Sequence, residues 1–184
     1  MQVLHAWPNP DAARRPDRFA EPFRVLGEDH AYQRSLCQIL VRLAHNPRHA
    51  AVTGDIESAC DYLARDFALH IADEEDTIMP LLRLRAHAEN DVGELGRTLR
   101  AGHDADELLA MAILIDLERL ASGRSLRDPQ GFFGQAVKLS SDLRQHLDWE
   151  DRVFLPLAKR RLESADLAQL GREMAARRGM APQD

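Results

Sequence analysis

The sequence predicts an all-α fold: an antiparallel up-down four-helix bundle with an N-terminal arm and a short C-terminal helix. Three observations predict it. Apolar residues recur at spacings of three and four over four long segments. The breaks between those segments run to about six to nine residues, short enough to make consecutive helices antiparallel neighbours. One polar motif also occurs twice with identical spacing, once in each half of the chain. The 184 residues, 45% apolar and 29% charged, can bury one core without disulfide staples, and Gly, Pro and aromatic residues are too few for a typical all-β protein. We expect a single domain, with an arm over 1–24, the bundle over 25–162, and a C-terminal helix and tail over 163–184.

The arm carries Trp7, Pro8, Pro10 and Pro16 without periodicity and is expected to pack on the bundle as extended chain. Helix one is predicted from about Gly27 to Asn46. Its stripe is Leu26, Leu36, Cys37, Leu40, Leu43 and Ala44, and Asn46-Pro47 ends it. Asp55 can cap helix two, whose stripe of Ile56, Cys60, Leu63, Phe67, His70, Glu74, Ile78 and Leu81 ends near His87 to Asn90. Pro80 lies inside this pattern and predicts a kink. Helix three is predicted from about Asp91 to Ala121, with Leu99, His103, Glu107, Ala110, Leu114 and Leu117 on one face. Helix four begins at Pro129, a first-turn proline after the cap Asp128. Its stripe is Phe133, Ala136, Leu139, Leu143, His146, Glu150, Phe154 and Leu157, with Pro156 inside. A short amphipathic helix from Ser164 to about Gly179 completes the chain.

A net charge of -6 with both signs interspersed offers no footprint for nucleic acid or an anionic membrane, so neither is expected as a partner. No run approaches the roughly 20 apolar residues of a membrane span, and the N-terminus lacks a basic region followed by an apolar stretch, so a cytoplasmic protein is expected. Cys37 and Cys60 sit in helical patterns without CxxC spacing and are expected to pack as small hydrophobes.

The repeat carries the chemistry. His70 is followed by Glu74, Glu75 and Pro80, and His146 by Glu150, Asp151 and Pro156; both read HxxxE(E/D)xxxxP. With this composition a given histidine meets that pattern by chance on the order of one time in two thousand. His30 and His103 each precede their HxxxE element by about 40 residues, so the chain reads as two helical hairpins of similar design. Helix lengths at about 1.5 Å per residue bring all four histidines to one height in the bundle. Within a helix an i, i+4 pair shares a face, and here both pairs continue the apolar stripe inward. Four histidines and two carboxylates in an apolar core would cost several kcal/mol per unpaired charge, and a bound metal removes that penalty.

These residues, His30, His70xxxGlu74, His103 and His146xxxGlu150, resemble the H…HxxxE…H…HxxxE pattern of hemerythrin-like HHE cation-binding domains over about residues 25 to 160. The resemblance implies a hemerythrin-like bundle with a non-heme, oxo-bridged di-iron centre. In it Glu74 and Glu150 bridge, and His30, His70, His103 and His146 are terminal ligands. A ferritin-like site would need Glu-x-x-His, which none of the eight histidines satisfies. Where oxygen-carrying hemerythrins resemble HxxxH on helix three, this chain has His103xxxGlu107, which argues against reversible oxygen carriage. Glu107 is a candidate seventh ligand, Asp106 being less well aimed. Glu75 and Asp151 are candidates for the shell around the ligands or for the surface.

Counted in the family's manner, about one of roughly twelve iron coordination positions stays open for O2, H2O2 or NO. A carboxylate in place of an imidazole favours ferric iron and redox chemistry over carriage. The same donors also accept zinc or manganese. Three functions are open at this point: a di-iron redox protein, a non-catalytic iron, oxygen or NO binding or sensing module or iron buffer, and a metal-free scaffold, which would leave the repeat without a purpose. Trp149 and Tyr62 are read as packing groups beside the core, and His5, His45, His49 and His87 as solvated residues in loops or at helix ends.

Overall fold

Proline placement sets where the helices begin. Pro22 has no N–H to lose in a first turn, so helix α1 (Pro22–His45) starts five residues ahead of the expected Gly27; it stops at Asn46. The computed structural model describes residues 16–46 and 53–180. A 3-10 turn, Pro16–Ala20, precedes α1, and the rest of the expected arm up to residue 15 lies outside the described residues.

Helix α2 spans 53–85 as three α-helical pieces, Thr53–Asp61, Phe67–Ala72 and Met79–Arg85, joined by π-helical turns at Tyr62–Asp66 and Asp73–Ile78. It ends at Arg85, short of the expected His87, and a 3-10 turn Ala88–Asn90 leads on. Helix α3 (Val92–Ala121) is capped by Asp91, the one described non-glycine residue with positive φ, whose side chain accepts the Glu94 N–H. Helix α4 spans 129–161: Pro129–Trp149, a π turn Glu150–Phe154, and Leu155–Arg161. Asp128 caps it, accepting the Gly131 N–H. Helix α5 (Ser164–Arg177) ends before Gly179, which takes the left-handed φ of 70° that glycine tolerates.

Neither internal proline breaks its helix. Pro80 and Pro156 each sit just beyond a π turn, whose closing bonds run from Met79 N–H to the Glu74 carbonyl and from Leu155 N–H to the Glu150 carbonyl. A proline would clash with the carbonyl four residues back in a regular helix, and the wider turn makes room for its ring.

Helix α1 packs on α4, α4 on α3, and α3 on α2. Among the described residues every regular element is helical, in keeping with the expected bundle. The apolar interior has two parts. One is built from Leu36, Leu40, Leu43, Tyr62, Ile113, Phe132 and Leu139, the other from Leu26, Ile78, Leu82, Leu99, Phe154 and Met174. Along each of the four long helices the polar repeat residues fall between these two clusters, so one charged layer divides an otherwise apolar core.

Three positions differ by one residue from the expected stripes. Phe132 is buried and Phe133 exposed, Ile113 is buried where Leu114 was expected, and helix α3 turns Asp106 inward in place of Glu107. The face of α3 therefore steps His103, Asp106, Ala110, Ile113, Leu117, alternating three and four. A strict step of four drifts about 40° per turn away from the core. Cys37 is fully buried and Cys60 half-buried, both free, and burial pushes each thiol up to about 11.

Candidate metal centre

The repeat places its glutamates on the π turns. Glu74 lies in Asp73–Ile78 and Glu150 opens Glu150–Phe154, so both carboxylates leave the helix where an extra residue per turn widens it. Both are essentially fully buried, as are His30, His70 and His103. His146 is slightly more open, its side chain 8% exposed.

The six side chains from four helices converge. His30 Nε2 lies 3.8 Å from Glu74 Oε1 and 3.4 Å from Glu150 Oε2. His70 Nε2 is 3.8 Å from Glu74 Oε2. His103 Nε2 is 3.2 Å from Glu74 Oε2 and 3.4 Å from Glu150 Oε1, and His146 Nε2 is 3.2 Å from that same oxygen. Two sets of donors suited to a metal result, His30, His70, Glu74 and Glu150 on one side and His103, His146 and Glu150 on the other; Glu150 belongs to both.

The opposite edge of each imidazole faces an acid. Nδ1 of His30 donates to Asp151 at 2.9 Å, that of His103 to Glu75 at 2.9 Å, and that of His146 to Asp106 at 3.0 Å. His70 Nδ1 faces Asp29 at 3.8 Å. The acid following each glutamate thus serves the histidine of the other hairpin. Two of these acids reach outward, Asp151 to Arg34 and Glu75 to Arg100, both at 2.7 Å. A carboxylate on Nδ1 fixes the tautomer and leaves Nε2 a free lone pair, the arrangement that metal-binding histidines use.

The buried atoms fit a cation. His30 Nε2, His103 Nε2, His146 Nε2, both Glu74 oxygens and Glu150 Oε1 make no hydrogen bond. Buried polar atoms without hydrogen bonds are costly. Ligands about 2.1 Å from a metal stand about 3.0 to 3.4 Å apart in octahedral or tetrahedral shells, close to the shorter of the separations found here. The donor set of imidazole and carboxylate suits iron, manganese or zinc.

Burial and opposite charge contend at each group of the cluster. Burial opposes charge on His30, but Asp151, Glu74 and Glu150 outweigh it and hold the imidazole up to about 10. His103 is likewise held at about 10 against burial by Glu150 and Glu74. Burial opposes ionisation of Glu74, yet His70, His103 and His30 hold it well below the usual carboxylate range. Glu150 is raised by burial and by the neighbouring Glu74 charge. Asp151 is lowered to about 2, chiefly by its hydrogen bond from His30. Metal binding at these donors would release the imidazole protons.

Glu107 is half-buried and belongs to neither donor set; the acid that α3 brings inward is Asp106. Sequence reasoning missed Asp29 and set Asp106 aside as less well aimed than Glu107. They stand at -1 and +3 from His30 and His103, four apart and hence on one helical face, a signal visible once the two hairpins are superposed. Gly102 lies against the ring of His146, where an added Cβ would come within 2.7 Å of Nε2. Trp149 stacks on Phe154 and approaches His146 at 6.3 Å, while Tyr62 packs between Tyr32 and Phe67. His45 and His87 are exposed, and His5 and His49 lie outside the described residues.

A family model described as hemerythrin HHE cation binding domain matches residues 21–158, most of the chain. No curated protein and no solved structure matches. The chain belongs to the hemerythrin HHE cation-binding domain family.

Proposed function

From that membership, we propose that this protein is a non-heme di-iron protein that binds or reacts with O2, H2O2 or NO. His30, His70, His103 and His146 would be terminal ligands, with Glu74 and Glu150 between the two ions. The observation that carries the reading is the pair of buried donor sets sharing Glu150, with the Nε2 atoms of His30, His103 and His146 buried and without hydrogen bonds. When bound, iron supplies an electrophilic, redox-active centre for a small ligand. The chain supplies the rest. Acids on Nδ1 make the imidazoles stronger donors, and the apolar clusters on either side exclude water. Asp151, its side chain 41% exposed and paired with Arg34, gives His30 a link to solvent along which a proton can move.

Among the described residues no helix is long and apolar enough to cross a membrane. We place the protein in the cytoplasm, where its two unpaired cysteines are at home. Metal analysis with absorption spectroscopy tests the proposal: about two irons per chain and an iron-ligand charge-transfer band are expected. Stoichiometric zinc in protein isolated from cells would replace it with a structural metal. Consumption of H2O2 by the iron form separates a redox enzyme from a binding module or iron buffer, which would change its spectrum without turnover.

A further inference from the structure

We propose that helix α5, which lies beyond the residues matched by the family, is a working part of the metal centre, with Arg178 and Arg177 positioning the ligands His70 and Glu74. The inference rests on the di-metal reading above. Three of the four histidines have their acid at 2.9 to 3.0 Å, and His70 does not. Its acid, Asp29, is buried and stands 3.8 Å away, and the same Oδ2 atom lies 3.7 Å from Arg178 Nη2. Arg18, from the turn before α1, faces the other oxygen at 3.8 Å. Asp29 is thus suspended between an imidazole and two guanidinium groups, and its place relative to His70 depends on where α5 holds Arg178.

The same helix grips the turn that carries Glu74. Asp73, fully buried, accepts a hydrogen bond from Arg177 at 2.9 Å on one carboxylate oxygen and forms an ion pair with Arg178 at 2.8 Å on the other. Arg177 also donates to Thr77 Oγ1 at 2.6 Å, and Thr77 in turn donates to Glu173 of α5. Residues 73 and 77 bracket Glu74 within the π turn, so α5 clamps the segment on both sides of a candidate ligand. The clamp has a firm seat. Gly171 packs so closely on the Phe19 carbonyl that a Cβ would collide with it, and the Arg178 guanidinium lies 5.6 Å over the Phe19 ring. Arg100 holds the Glu75 behind His103, but among the contacts described no α5 residue reaches Glu75 or Asp106, so the effect centres on the His30 and His70 side.

Cobalt(II) titration of the full chain, followed by equilibrium dialysis and visible absorption, tests this. Wild-type protein should bind about two ions. In Arg178→Ala the affinity for one ion should fall roughly 10- to 100-fold with a changed absorption spectrum, while the other ion is weakened much less. Arg178→Lys should recover part of the loss. Asp29→Asn, which leaves the α5 seat intact, should reproduce the spectral change, and the double variant should be no worse than the poorer single one. Circular dichroism checks that each variant is folded. Wild-type affinity and spectrum in both single variants would overturn the inference, as would equal weakening of both ions in Arg178→Ala. Wild-type protein that takes up no cobalt would instead overturn the metal centre itself, and this positioning role with it.

Discussion

Replacing Glu150 by alanine removes the one residue common to both donor sets, so the loss should be felt by both ions. Iron present at about 100 times its dissociation constant stabilises the folded chain by about 2.7 kcal/mol per ion. A domain of this size gains about 2–4 °C in Tm per kcal/mol, so two ions should raise the melting temperature by about 10–20 °C. In the metal-free protein the same substitution deletes a carboxyl group whose ionisation is opposed by burial and by Glu74, so the apo melting temperature should move far less. The assay is differential scanning calorimetry with and without anaerobic ferrous iron, paired with metal analysis. Glu150→Ala should bind less than one iron per chain and lose most of the increment. A variant that keeps about two irons and the full wild-type increment would refute the shared-carboxylate arrangement.

Gly102→Ala should push the His146 ring aside, since the new Cβ falls 2.7 Å from it, at a cost of about 1–3 kcal/mol and with loss of metal on the His103 side; thermal melts and metal counts check this. Asp106→Asn should weaken metal binding on that side roughly 10- to 100-fold by removing the carboxylate on His146 Nδ1, whereas Glu107→Ala should leave metal content unchanged, both read by dialysis. The metal-free protein should lose stability with rising pH. His30 and His103 titrate near 10 when folded against 6.5 unfolded, so their contribution is complete below about pH 6.5 and disappears as pH rises through about 10. Denaturant melts across that range should show the decline in apo protein, and metal uptake at pH 7 should release protons measurable by calorimetry in buffers of different ionisation enthalpy.

Local periodicity made much of this protein legible. His70 with Glu74 and His146 with Glu150 are i, i+4 pairs, and helical geometry alone puts each pair on one face whatever surrounds it. A constant rise per residue likewise let chain distances place four histidines at one height, and the four distances around Glu74 and Glu150 meet that expectation. The caps Asp128 and Pro129 were readable for the same reason, being properties of a single turn.

Choices between neighbouring residues were not local. Asp106 and Glu107 differ by a rotation of about 100° on α3, and the one that points inward is selected by where α2 and α4 press against the helix. The partners of Nδ1 depend on contacts far apart in the chain: His30 finds Asp151 across 121 positions, and Asp73 is held by Arg177 across 104. The sequence by itself thus determined which residue types face the core and at what level, because those follow from the repeat of one helix. Only the tertiary structure decided which acid stands behind each histidine and that a fifth helix grips the turn bearing Glu74, because pairing between helices is set by how their surfaces pack.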